Sequence, residues 1–156
     1  MTINANEPIR GGTACLNKAG LGIAGTTSKM RTTAADASGY MDFTIKGILY
    51  SLADADNNCV FTADSQAVLT TCLYLCCITS GNVISIVKGE EVLTADLTAG
   101  FEALHWPAPT ADTCPFGAVK VVATTAVFTP GTTALGTGNT VTYYDLMNVP
   151  ANPIRS

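Results

Sequence analysis

Hydrophobic and polar positions along this chain alternate with a period of two far more often than they recur with a helical period. In "YMDFTIKGILYSL", Phe43 and Ile45 alternate with Asp42 and Thr44, and Lys46-Gly47 separates this run from "ILYSL". Two short β-rich runs around a central Gly predict a hairpin or a bulged strand. Residues 68–79, "VLTTCLYLCCIT", are rich in β-branched and aromatic types. "SGN" breaks that run and "VISIVKG" resumes it, which predicts a second hairpin. Along its first strand Cys72, Tyr74, Cys76 and Ile78 share one face, and Thr71, Leu73, Leu75 and Cys77 share the other. Both faces are largely apolar, so this strand is expected to be covered on both sides.

The rest of the chain reads more weakly. Residues 1–20 carry Gly-Gly and a Pro and hold no period, which predicts an extended N-terminal arm. "LGIAGTTSKMRTTAADASGY" has room for one or two short strands, and "ADADNN" has the composition of a polar turn. "EEVLTADLTAGFEALHW" is the one helical candidate, with Leu97, Phe101 and Leu104 at i, i+4, i+7 and Asp96 placed to cap it; Gly100 interrupts it. "PAPTADTCPFG" reads as a connection, "AVKVVATTAVF" and "TVTYYDLM" as the last two strands, and residues 151–156 as a C-terminal tail. The pattern predicts one mainly β domain over residues 21–150. Its expected architecture is an antiparallel β-sandwich or jelly-roll-like small barrel with at most one short helix.

Composition narrows the function. Charged residues are 13% of the 156, about half the usual share of ~25%. A chain so poor in charge suits an assembly that covers much of its surface. The net charge is −4, and the eight basic residues form no run, so no nucleic-acid partner is expected. No apolar stretch is long enough for a membrane helix, and "MTINANEPIRGG" lacks the basic and apolar regions of a secretory signal. A reducing compartment is therefore expected, in which thiols persist.

Several patterns carry chemistry on paper. Cys72 and Cys76 lie four residues apart on one strand, roughly 13 Å at about 3.3 Å per residue. One tetrahedral ion with bonds near 2.3 Å cannot span that distance, so the cysteines are read as small buried hydrophobes and no metal is expected. His105 is the one histidine available to activate a thiol. Gly20 to Gly25, "GLGIAG", matches a dinucleotide fingerprint in letters, but lacks the flanking strand and helix that make it bind phosphate. Ser85 and Lys88 match S-x-x-K, yet on a strand they face opposite sides. Asp54, Asp56 and Asn58 begin like a calcium loop, but Cys59 stands where the Gly belongs and Ser65 where the Glu belongs. No catalytic residue, cofactor or metal ligand is assigned, and an enzyme on a β scaffold is the least favoured class.

Four blocks together resemble small tailed-bacteriophage virion proteins of the head decoration (cement) or head-fibre type. They are "TIKGILYSLADADNNCVFT", "LYLCCITSGNVISIVKGEE", "WPAPTADTCPFGAVKVV" and "FTPGTTALGTGNTVTYYDLMNVP", within residues 20–150. The resemblance implies a non-enzymatic capsid decoration protein, located on the virion surface after assembly in the host cytoplasm. It implies the major capsid protein and copies of itself, as a homotrimer, as partners. A head-fibre, tail-fibre or adhesin component is the alternative. The arm would reach a neighbour, with Ile3, Ile9 and Leu16 as its contact residues.

Overall fold

In the computed structural model, residues 12–33 and 38–155 are described. Among them the chain is mainly β, with three antiparallel sheets and one short helix in a sandwich-like arrangement. In chain order the elements are β1 (Ala14–Cys15), β2 (Gly22–Ile23), β3 (Met30–Thr32), β4 (Tyr40–Ile45), β5 (Ile48–Ala53), β6 (Ala55–Cys59), β7 (Thr70–Ile78), β8 (Ile84–Leu93), α1 (Thr94–Ala99), β9 (Cys114–Ala123) and β10 (Asn139–Asp145). The sheets have the orders β1-β4-β5, β10-β9-β7-β8 and β2-β3-β6.

Strand β7 is the centre of the molecule, and every one of its residues is buried. Cys72, Tyr74, Cys76 and Ile78 point into the main core, where Phe43, Phe61, Phe116 and Phe128 meet them. Leu73 packs on the other side with Leu97 and Leu104, and Leu75 and Cys77 pack there with Ala118 and Leu146. The expectation of a strand covered on both faces therefore holds. The second cover is made by α1, the loop after it and the C-terminal segment, where Leu104 bridges Ile154.

Buried Gln66 anchors the main core. Its Nε2 donates to the carbonyls of Thr70 and Val121 at 3.0 and 3.1 Å, and its Oε1 accepts from the Tyr74 hydroxyl at 3.1 Å. Its backbone N–H and C=O exchange bonds with Phe128. A buried amide with every group partnered escapes the cost of an unmade hydrogen bond.

Both hairpins form. Ile45 pairs Ile48 across Lys46 and Gly47, whose φ values of 51° and 79° are the left-handed pair that a two-residue turn matching strand twist needs. The second hairpin pairs Ile78 with Ile84.

Three local expectations are corrected. "ADADNN" is mostly strand, because β6 pairs with β3, Ala55 with Thr32 and Cys59 with Met30, and the Asn58 side chain bonds Thr32 where the register shifts between them. The helix ends at Ala99, since Gly100 adopts the left-handed cap (φ 76°). Asp96 lies in its first turn and is not the N-cap, which is Leu93; Phe101 lies outside the helix and is 82% exposed. Strand β9 starts at Cys114, so "CPFG" belongs to it, with Pro115 seated where the pairing to Cys76 and Cys77 shifts register.

Within the segment read as an arm, Ala14 and Cys15 form β1 against Thr44 and Phe43 of β4, and Cys15 and Ala19 are fully buried.

Candidate assembly face

The sheet β1-β4-β5 turns one face to the core and, among the described residues, leaves the other open. Strand β4 alternates strictly, with Met41, Phe43 and Ile45 buried and Tyr40, Asp42 and Thr44 facing outward. Residues paired across antiparallel strands share a face. The outer face therefore also carries Leu49 opposite Thr44, Ser51 opposite Asp42, and Ala53 opposite Tyr40. Leu16 continues this face beyond β1, its N–H donating to the Asp42 carbonyl at 2.8 Å. Leu16, Tyr40 and Leu49 are 49%, 52% and 61% exposed. Three large apolar side chains thus stand in water on one sheet face, around a polar centre where Ser51 Oγ donates to Asp42 Oδ1 at 2.5 Å.

One end of this sheet holds the start of the described chain. The Gly12 carbonyl accepts from Gly47 N–H at 3.3 Å and from Thr44 Oγ1 at 2.9 Å, and Thr13 Oγ1 accepts from Lys46 N–H. The described chain therefore begins beside the tip of the β4–β5 hairpin. Exposed Lys46 forms an ion pair there with exposed Asp112. Of the three residues assigned to partner contact, Leu16 lies on the open face, while Ile3 and Ile9 lie outside the described residues. Tyr40 and Leu49 were not assigned; the Asp42/Thr44 alternation was the signal that could have exposed this face.

The chemical patterns read from sequence are engaged in structure. Gly22–Ile23 is a strand and no helix follows, and the Gly25 N–H is bonded by both carboxylate oxygens of Asp56 at 3.0 and 3.1 Å. Asp54 and Asp56 line an open depression of about 530 Å³ together with Arg31. The Arg31 guanidinium there donates to the Ile23 carbonyl and to Thr33. Lys88 Nζ bonds Glu91 at 2.5 Å and the Ser65 carbonyl at 2.6 Å. His105 lines an open groove of about 590 Å³ with Trp106 and Glu90. Among the described residues, no group of three or more His, Cys, Asp or Glu is placed to hold a metal ion.

All six cysteines are buried free thiols. Burial pushes Cys15 from 9.0 up to about 11, and Cys72 and Cys114 up to about 12. Cys77 is raised by burial, and Cys76 by its contact with Cys59 and by burial. Thiols held so firmly protonated are poor nucleophiles and poor metal ligands.

No family model, no curated protein and no solved structure matches this chain.

Proposed function

We propose that this protein is a non-enzymatic virion component that decorates a capsid, binding the major capsid protein on the head surface as a homotrimer. The observation that carries the reading is the open face of β1-β4-β5, with three exposed apolar side chains on one sheet and the described chain beginning, at Gly12, at the end of that sheet. Exposed apolar side chains gathered on one face mark contact surfaces better than single scattered ones do. Two features support it: the low charge of the chain and its block-by-block resemblance to head-decoration proteins of tailed phages. Thiols shielded from reaction suit a structural role better than a catalytic one.

The test is co-sedimentation of the purified protein with undecorated capsids. Saturable binding is expected. Replacing Leu16 and Tyr40 together by Asp should weaken it about tenfold or more, since each charge must be desolvated in the contact. An intact protein that stays in the supernatant at every capsid concentration overturns the reading.

A further inference from the structure

Among the described residues strand β5 is the outer strand of its sheet, and its outer edge has a defined polarity. Asp42 turns its C=O to Leu16 N–H and its N–H to Asn17 Oδ1, both on the β1 side. Ser51, opposite Asp42, therefore turns its own backbone groups away from β4, and Leu49 and Ala53 do the same by the period of two. Among the described residues, Leu49 N–H and C=O and Ser51 N–H meet no backbone partner. The Ser51 carbonyl accepts the Asn82 side-chain amide at 3.2 Å, which leaves it a second lone pair. An exposed edge with large apolar side chains is a template for another strand.

We infer that the edge of β5 receives residues 1–11 of a second copy of this chain as an added antiparallel strand. The segment has the parity the edge requires. With Ile9 opposite Leu49, residues 7 and 5 fall opposite Ser51 and Ala53. Pro8, which has no N–H to give, then faces away from β5, where none is needed. Ile9 lies on the outer face beside Leu49 and extends the apolar row there.

Reach decides which copy donates. Gly12 is fixed beside Gly47 on the β1 side of the sheet. From the lane of β1 to a lane beyond β5 is three strand spacings, about 14 Å. Residues 9 to 12 extend at most about 11 Å, so a chain cannot place its own Ile9 beside its own Leu49. The contact is heterologous, each copy giving its segment and receiving another. Three copies close it into a ring. The inference deepens the homotrimer reading and rests on it for that closure, but its readout does not involve capsids.

The experiment follows amide exchange at Leu49 and Ser51 together with sedimentation, for the full chain, a chain lacking residues 2–11, and Leu49→Pro. Leu49 N–H makes no bond to β4, so Pro there removes an edge donor and spares the ladder. The full chain is expected to be trimeric, with exchange at these two amides about tenfold or more slower than in the truncated chain. The truncated chain and Leu49→Pro should be folded monomers, and a peptide of residues 1–11 added to the truncated chain should restore protection. A photo-reactive benzoylphenylalanine in place of Ile9, in a mixture of heavy- and light-isotope chains, should give heavy–light cross-links to β5. Equal exchange in the full and truncated chains, or cross-links only within one chain, overturns the inference. A trimer joined this way that ignores capsids leaves it standing and overturns the decoration reading alone.

Discussion

At the scale of single residues, the six cysteines are governed by burial. A thiol whose value rises from 9.0 to about 11 or 12 on folding holds its proton more tightly in the folded chain than in the unfolded one. Its contribution to stability is complete below pH 9 and is lost as pH climbs through 9 towards 12, because the unfolded chain ionises first. The melting temperature, followed from pH 7 to pH 11, is therefore expected to fall above about pH 9, the ordinary thiol value. At pH 8 a disulfide exchange reagent should label none of the thiols in the native protein and all six after denaturation. Rapid labelling of the native protein would contradict the burial of β7. Glu91 acts at the acid end. Burial raises its carboxyl, but the bonds from Lys88 and the Ala67 N–H outweigh that and lower it overall. Its contribution is present above the ordinary value of 4.5 and disappears as pH falls through the lowered one.

Elements read most clearly where the side chains alone impose the structure. The runs on either side of Lys46-Gly47 and of Ser80-Gly81-Asn82 disclosed both hairpins, since turn chemistry and a period of two agreed. The double apolar face of β7 disclosed its central place. Leu75 is fully buried between Ala118 and Leu146. Leu75→Ala is expected to cost about 2–5 kcal/mol, the range for a buried Leu whose cavity only partly collapses. Denaturant unfolding will measure it, and a loss under about 1 kcal/mol would mean that the second cover of β7 is loose. Reading failed where partners distant in sequence do the work. Nothing in "ADADNN" announces that Ala55 will pair with Thr32 while the Asn58 side chain bonds it, or that Gly25 will take the Asp56 carboxylate. The apparent helical period through Phe101 and Leu104 came from two residues with unrelated roles, one in solvent and one bridging Ile154. The open face was half legible. Its polar alternation in β4 was visible, but Leu49 read as one more apolar residue because its solvent exposure follows from which face of the folded sheet is left uncovered among the described residues.

For the whole molecule, the N-terminal boundary makes the sharpest prediction. Ala14 and Cys15 belong to the sheet, and Cys15 N–H donates to the Met147 carbonyl at 3.0 Å, joining the first strand to the segment that follows β10. Removing residues 2–11 should leave a folded monomer that melts below the full-chain trimer, because the subunit contact is lost while β1 is kept. Removing residues 2–18 deletes β1 and the buried Cys15 side chain, and should lower stability by about 2 kcal/mol or more. Calorimetry on the two truncations checks this, and equal melting temperatures would show that β1 adds nothing to the fold.

The position of β7 also governs what happens while the chain is being made. Its hairpin partner β8 follows at once, but its other neighbour, β9, ends only at Ala123. At synthesis rates of about 5–20 residues per second, the apolar "TTCLYLCCI" edge waits some seconds for that neighbour to emerge. During this interval Cys72, Cys76 and Cys77 lack the cover that later shields them, and a long β-rich edge is open to other nascent chains. The prompt arrival of residues 114–123 therefore protects the yield of correctly folded protein.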